Sequence, residues 1–332
     1  MTRLGVSYFG NRFINHARED LRRISESCDY VVHTVSEPDL IFHKSVLSKI
    51  FQETKKIGLE VWVDPWGLGG VFGGEAFSKF ILEHRGAWQV MSDGRFVPAA
   101  CINNSAFRSF VKEWVLNVRD MGAEVIFWDE PHIAFDIDSE IEGIFSCACS
   151  TCKALFKKEF GEDLPAKLNE NARIFRRKMV RSFLSEIMDF CHENKLRNAI
   201  CLYAFRGIKD YDWFWEEAAG LKSLDILGCD PYWRWHWNRD PRVHVKEFSR
   251  FVFEMARRNG KESQVWIQAM RLPAGSEGEI EQACNVAVNE GVSHLAAWSF
   301  DGGELLDPVL SERPGEVWNS VERAFKKLKG KG

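Results

Sequence analysis

The chain has no run of about 18 consecutive apolar residues, and no basic segment, apolar stretch and small-residue cleavage site precede its first strand pattern. A membrane partner and a secretory leader are therefore not expected, and the sequence reads as a soluble cytoplasmic protein. It also lacks a basic stripe. Its 44 Lys and Arg are interspersed with 48 Asp and Glu for a net charge of -4, which argues against a nucleic-acid partner. The Lys-rich end, Lys326 to Lys331, reads as a solvated helix terminus. Nucleotide fingerprints are missing too: the glycine-rich stretch Gly67 to Gly74 has neither GxxxxGK[ST] nor GxGxxG spacing. It reads as a mobile loop bordering a cleft. Finally, no Ser/Pro/Gly-rich linker or shift in composition divides the chain, so one domain over residues 1–332 is expected.

What is present is an alternation. Short apolar runs rich in β-branched and aromatic residues begin at Leu4, Tyr30, Leu59, Val125, Ala199, Ile226, Val265 and Leu295. Helical patterns separate them, among them Lys44 to Lys56, Ser105 to Met121, Val243 to Asn259 and Glu279 to Glu290, and a last helix runs from Gly315 to Leu328. Eight strand-helix pairs in strict order imply an α/β fold of the (β/α)8, or TIM, barrel type, in preference to a doubly wound open sheet.

In such a barrel, functional side chains gather at the carboxyl ends of the strands. Those positions hold Glu37; Asp64 and Trp66; Asp129, Glu130 and His132; Arg206; Asp230, Tyr232 and Trp233; Gln268 and Arg271; and Asp301. The fourth strand, Val125-Ile126-Phe127-Trp128, is apolar on both faces and stops at Asp129-Glu130-Pro131. Paired carboxylates among tryptophans suit hydrolysis of a sugar acetal, where one carboxylic acid protonates the leaving oxygen and a second group attacks or stabilises the anomeric carbon. The composition includes 13 Trp and 25 Phe, enough for a core and for stacking surfaces. Trp66, Trp128, Trp233, Trp235, Trp237 and Trp298 are candidates for stacking, with barrel core the competing reading for Trp128 and Trp298. His132 reads as a supporting or loop residue, and Asp136 and Asp138 as solvated loop acids.

Of nine cysteines, Cys28, Cys191, Cys201, Cys229 and Cys284 lie singly in apolar or helical segments and read as reduced core residues. Cys147, Cys149 and Cys152 cluster instead, which suggests a metal. The segment Trp128-Asp129-Glu130-Pro131, the CxCx2C cluster followed by Phe156, and the upstream Cys101-Ile-Asn-Asn-Ser-Ala-Phe-Arg together resemble the barrel domain of family 42 β-galactosidases and their relatives in the large retaining-glycosidase clan. The resemblance is densest over residues 95 to 160. It implies a glycoside hydrolase with Glu130 as acid/base, and a structural zinc held by Cys101, Cys147, Cys149 and Cys152. Four thiolates complete a tetrahedral zinc and leave no open position, so the ion would clasp a loop and helix insertion, residues 133–165, rather than catalyse.

Two departures matter. Asp129 stands where the clan has Asn, and the seventh strand offers Val265-Trp266-Ile267-Gln268 where a nucleophilic Glu is expected. Three readings follow. In the first, Glu130 is the acid/base and the sugar's own 2-acetamido group attacks, with Asp129 orienting it and Tyr232 supporting its oxygen; the adjacent Asp-Glu pair resembles family 20 hexosaminidases. In the second, Asp230 or Asp301 serves as the second carboxylate of a β-galactosidase-like or other exo-glycosidase. In the third, the barrel binds a carbohydrate without cleaving it, Gln268 having replaced the nucleophile. The first is favoured, with Trp128 beside Glu130 raising its pKa. Catalytic candidates are thus Glu130, Asp129 and Asp230. Substrate-binding candidates are Asp64, Trp66, Tyr232, Trp233, Gln268, Arg271, Trp298 and Asp301. The partner expected is a small carbohydrate, with room for association into a homo-oligomer.

Overall fold

The computed structural model describes residues 2–133, 143–207, 212–235 and 238–330. Trp237, Asp136 and Asp138 lie outside the described residues. Among the described residues there are ten strands: β1 Arg3–Tyr8, β2 Tyr30–Thr34, β3 Glu60–Asp64, β4 Trp88–Val90, β5 Phe96–Ala100, β6 Val125–Asp129, β7 Arg197–Leu202, β8 Ile226–Cys229, β9 Glu262–Gln268 and β10 His294–Trp298. Eight of them close a barrel in the order β1-β10-β9-β8-β7-β6-β3-β2. Every neighbouring pair is parallel, which is the (β/α)8 barrel expected from the alternation.

Because side chains alternate along a strand, each run serves two cores. Tyr30, Val32, Trp62, Val125, Phe127, Ala199, Ile226, Trp266 and Ala296 fill the lumen. Their neighbours Val31, Val63, Ile126, Trp128, Ile200, Leu227 and Val265 pack outward under the helices. The lumen floor is polar and mostly bonded, the buried His294 Nδ1 being without a partner among the described residues. The Gln264 amide donates to the Tyr30 hydroxyl at 3.0 Å and accepts from the Trp266 indole at 3.2 Å. The lumen is therefore plugged from below and opens at the carboxyl ends of the strands. The helix Ser105–Met121 starts where the Asn104 side chain accepts from the Phe107 N–H and stops at Gly122, whose φ of 112° suits glycine. Among the described residues no helix is long and apolar enough to cross a membrane.

The glycine-rich stretch after β3 differs from its expectation as a mobile loop. Leu68, Val71 and Phe72 are buried, the Gly67 N–H donates to the Gly73 carbonyl at 2.8 Å, and the Gly73 N–H donates to the Asp129 carbonyl at 3.0 Å. It is a packed wall of the barrel mouth. Glu37 anchors it from behind, its carboxylate accepting from Gly69 N–H at 3.0 Å, Ser78 hydroxyl at 2.6 Å and Phe80 N–H at 2.7 Å. Beyond the wall, β4 and β5 form an antiparallel hairpin in what reads in sequence as a plain connection. Residues 145–148 join it: Met91 and Ser146 form an antiparallel bridge, and the Ala148 N–H donates to the Val90 carbonyl at 2.7 Å. This small sheet brings the segment carrying Cys147 up to the end of β5, beside Cys101.

Candidate active site

Asp129 shares the inward face of β6 with Val125 and Phe127, so its carboxyl enters the mouth. Strand alternation would turn Glu130 away, but Glu130 has a φ of 38°, in the left-handed region that non-glycine residues seldom occupy. That residue breaks the strand, its N–H donating to the Cys201 carbonyl at 3.1 Å. Both adjacent carboxyls consequently line one cavity of about 260 Å3. Asp230, just past β8, and Glu75, at the end of the glycine-rich wall, bring two more. Tyr203, just past β7, and Tyr232 add hydroxyls, and Trp66, Trp235 and Trp298 supply aromatic walls above Phe127 and Trp266. The Trp66 and Trp298 rings lie nearly parallel, 14° apart with centroids at 6.0 Å, and Phe9 packs against both.

The electrostatics are those of crowded acids out of water. Burial pushes Glu130 well above the usual carboxylic range, and the charge of Asp230 adds to it. The neighbouring Asp230 carboxyl is the source of that charge, while the Tyr203 hydroxyl pulls Glu130 the other way. Asp230 is itself pushed up to about 7, chiefly by burial. Asp129 rises through burial and the charges of Glu130 and Glu75. Asp64, under Asp129 at the end of β3, rises through burial and the charges of Asp129, Glu75 and Glu130, and its Oδ1 has no hydrogen-bond partner. His244, also on the cavity, is held down to about 4 by burial and by Arg239, so it is neutral at neutral pH. Such a site keeps a proton on a carboxyl near neutrality, the state a general acid requires, beside an aromatic wall that suits one face of a sugar ring.

The sequence candidates thus divide. Glu130, Asp129, Asp230, Trp66, Tyr232, Trp298 and Trp235 meet at the cavity, and Asp64 lies behind Asp129. Others are placed elsewhere. Gln268 is fully buried, its Oε1 accepting from the Arg234 N–H at 2.8 Å and its amide donating to the Met270 carbonyl at 3.0 Å. Trp233 is core, its indole donating to Glu279 at 2.7 Å. Asp301 pairs with Arg23 on the first helix. Arg271 lies at the rim with its guanidinium 4.0 Å from the Trp235 ring centre and its Nε donating to the Pro308 carbonyl. Trp128 is core on the outward face of β6, its indole donating to Asn198 at 3.0 Å. It therefore does not set the Glu130 pKa; the cavity and Asp230 do. Arg206 sits over the Phe251 ring at 4.4 Å, off the cavity lining, and the His132 ring lies against the Glu130 carbonyl, at 2.9 Å, rather than in the cavity lining.

Sequence reasoning missed Tyr203, Glu75 and His244. The fifth strand reads in sequence as running to Phe205, which makes Arg206 its end residue. It stops at Leu202, so the strand-end position belongs to Tyr203. Glu75 and His244 come from a loop and a helix, where strand-end reasoning does not apply.

The second cluster lies behind the mouth. The sulfurs of Cys101, Cys147, Cys149 and Cys152 all lie within 4.8 Å of one another, and no disulfide joins them. Cys101 Sγ is 3.4 Å from that of Cys152 and 3.6 Å from that of Cys149. Tetrahedral zinc with bonds of about 2.3 Å would space its sulfurs about 3.8 Å apart, so the cluster is compatible with a metal site. The Asn103 amide points at Cys152 Sγ from 3.4 Å, the kind of outer hydrogen bond that steadies a bound thiolate.

No protein-family model matches the sequence, and no curated protein matches it. Solved structures do resemble it in fold. A β-galactosidase from the Antarctic haloarchaeon Halorubrum lacusprofundi superposes with a TM-score of 0.72 at 13% identity, over 99% of this chain and 58% of that one. A β-galactosidase from the psychrophilic Marinomonas ef1 gives 0.71 at 11% identity, over 99% and 60%. The endo-1,4-β-mannanase of Rhizomucor miehei gives 0.63 at 11% identity, over 98% and 95%. The chain thus spans somewhat under two thirds of the two β-galactosidases. At such identities the likeness establishes the barrel fold.

Proposed function

We propose that the protein is a glycoside hydrolase acting on small oligosaccharides, with Glu130 as its general acid/base. The observation that carries this reading is Glu130 itself, turned by its left-handed backbone into a cavity walled by tryptophans, where burial pushes its carboxyl above the usual range. The glycosidases of like fold support it. In this reading a sugar ring stacks against the aromatic wall that Trp66 and Trp298 form, and Glu130 delivers its proton to the glycosidic oxygen.

The second group is the sugar's own 2-acetamido substituent. Its carbonyl oxygen attacks the anomeric carbon while Asp129 accepts from the amide N–H and Tyr232 supports the oxygen. Glu130 then takes a proton from the water that opens the cyclic intermediate. The placement of the other candidates favours this. Asp301 is ion-paired and Gln268 is not ionisable and is spent on backbone contacts. The charge of Asp230 raises the Glu130 carboxyl, so in this reading Asp230 acts on the proton of Glu130 rather than across the sugar. The competing reading, a barrel that binds sugars without cleaving them, draws on Gln268.

The four-cysteine cluster would hold a structural zinc, which with four thiolates has no open position and supplies no chemistry to the cavity. All nine cysteines being free favours a reducing compartment such as the cytoplasm. The deciding experiment is hydrolysis of chromogenic β-GlcNAc, β-Gal and β-Glc substrates by the native protein and by Glu130→Gln. Cleavage confined to the 2-acetamido substrate and lost in the variant is expected. Equal cleavage of 2-hydroxy substrates would refute substrate assistance, and sugar binding without any cleavage would favour the non-catalytic reading.

A further inference from the structure

We infer that Trp235 is the platform for a second sugar unit at the rim of the cavity, and that Gln268 and Arg271 are the positioning residues that hold it there. The inference rests on the reading of this cavity as a sugar site. It gives Gln268, at the end of β9, a task other than that of a nucleophile.

The placement begins with Gln268. Its buried amide is used at both ends, Oε1 accepting from the Arg234 N–H at 2.8 Å and Nε2 donating to the Met270 carbonyl at 3.0 Å. One partner is a donor and the other an acceptor, a pair that a carboxylate, which only accepts, cannot serve. The loop past β8 is thereby pinned one residue before Trp235. Glu279, on the helix Gly278–Asn289, pins it again by accepting from the Trp233 indole at 2.7 Å and from Arg234 Nε at 3.0 Å. The Trp233 carbonyl also accepts from the Arg239 N–H at 3.0 Å. Trp235 is thus set, half-buried, on the cavity lining. Arg271, with a φ of 49°, completes the hold. Its N–H donates to the Val309 carbonyl at 3.0 Å and its Nε to the Pro308 carbonyl, and these anchors place the guanidinium carbon 4.0 Å from the Trp235 ring centre.

Trp235 belongs to a different part of the mouth from the first aromatic wall. Trp298 ends β10, Trp66 follows β3, and Phe9, past β1, packs against both, so that wall occupies the arc from β10 through β1 and β2 to β3. Trp235 comes from the arc this leaves out: β8 stands four places from β2 in either direction of the barrel order. Height separates it as well. Phe127 and Trp266 are buried at the floor, whereas Trp235 meets the exposed Arg271 at the rim. A ring stacked on the first wall does not use Trp235, and the sugar joined to that ring at the rim does. The ligand class is therefore a disaccharide or a longer chain, its outer unit laying an apolar face on the indole.

The test is binding, which needs no turnover. Glu130→Gln protein labelled with 6-fluorotryptophan is titrated by 19F NMR with N,N′-diacetylchitobiose, cellobiose and β-1,4-galactobiose and with the matching monosaccharides, the Trp235 signal being assigned by its loss in Trp235→Phe. At least one disaccharide should bind about tenfold tighter than its monosaccharide and shift the Trp235 signal. Trp235→Ala should remove that advantage and leave the monosaccharide within about twofold. Arg271→Met should weaken the disaccharide about two- to fivefold, the range of an exposed cation–π contact, and Arg271→Lys should restore most of it. Gln268→Glu should move the Trp235 signal of the free protein and weaken the disaccharide; should it fold poorly, Gln268→Met, of like size and uncharged, makes the same test. Equal affinity for disaccharide and monosaccharide in every pair, binding of none of these sugars, or disaccharide binding untouched by Trp235→Ala overturns the inference. A native protein that cleaves no glycoside yet prefers disaccharides through Trp235 sinks the proposed function alone; one that cleaves them with no such preference sinks this inference alone.

Discussion

Asp301 and Arg23 form a two-pronged ion pair, with oxygen–nitrogen distances of 2.7 and 2.9 Å, that ties the turn after β10 to the first helix. This relationship removes Asp301 from the candidates for a second catalytic carboxylate. Asp301→Asn should leave turnover within about twofold of the native protein. It should cost about 0.5–1 kcal/mol of stability, a modest figure because the two side chains are 38% and 24% exposed. Chromogenic kinetics and a denaturant midpoint on the same sample measure both. A hundredfold loss of turnover in a folded variant would return Asp301 to the chemistry.

Gly73 is the residue against which Asp129 rests. A Cβ there would meet Asp129 Oδ2 at 2.3 Å and Cγ at 3.0 Å. The backbone cannot retreat easily, because the Gly73 N–H bonds the Asp129 carbonyl at 3.0 Å. Gly73→Ala should therefore swing the Asp129 carboxyl aside and lower kcat/KM about a hundredfold, the usual cost of displacing a positioned group by an ångström. A melting temperature within a few degrees of native would show that the wall itself survives. Unchanged kinetics would mean that Asp129 has no role in positioning the substrate.

The barrel was legible because each apolar run ends in a turn and a helical pattern, and eight repetitions leave little alternative. The strand-end rule then found Asp129, Glu130 and Asp230. It failed where the chain departs from regularity. Alternation places Glu130 opposite Asp129, and nothing in the residue types announces the left-handed turn that brings both into one cavity. Trp233 and Gln268 sit at strand ends yet point into packing and backbone contacts, a choice made by Glu279 and Arg234 from elsewhere in the chain. The β4–β5 hairpin stayed hidden because its third partner, residues 145–148, lies far along the sequence.

Asp230 makes stability depend on pH with a definite sign. The folded protein holds its proton up to about 7, whereas the unfolded chain releases it near the ordinary aspartate value of 3.8. Between those values the folded state binds more protons, so stability falls as pH rises, by at most about 1.4 kcal/mol per pH unit. Asp230→Asn removes the titration. Its advantage over the native protein should widen from pH 5 to pH 7 and then level off, as read from urea midpoints across that range. Glu262 is a separate contribution at the acid end. His294 holds it down to about 2, and its stabilisation is lost as pH falls from about 4.5 through that value in both proteins. Native and variant curves that run parallel from pH 5 to 7 would show that Asp230 is not titrating there.

The thiol cluster joins parts of the chain that lie far apart in sequence. Cys101 follows β5, Cys147 lies in the segment paired with that hairpin, Cys149 is the N-cap of the helix Ser150–Phe160 and Cys152 is in its first turn. A zinc bound by all four would fasten this module behind the strand that ends in Asp129 and Glu130. Its removal by a strong chelator should lower stability by several kcal/mol, corresponding to roughly 10 °C in melting temperature for a chain of this size. Cys101→Ser should reproduce most of that loss. Because a four-thiolate site offers no position to substrate, kcat measured well below the new melting temperature should change far less than stability does. Elemental analysis should find one zinc per chain, released in step with the appearance of four titratable thiols. A purified native protein with no metal, and with those four thiols already reactive, would dismiss the clasp.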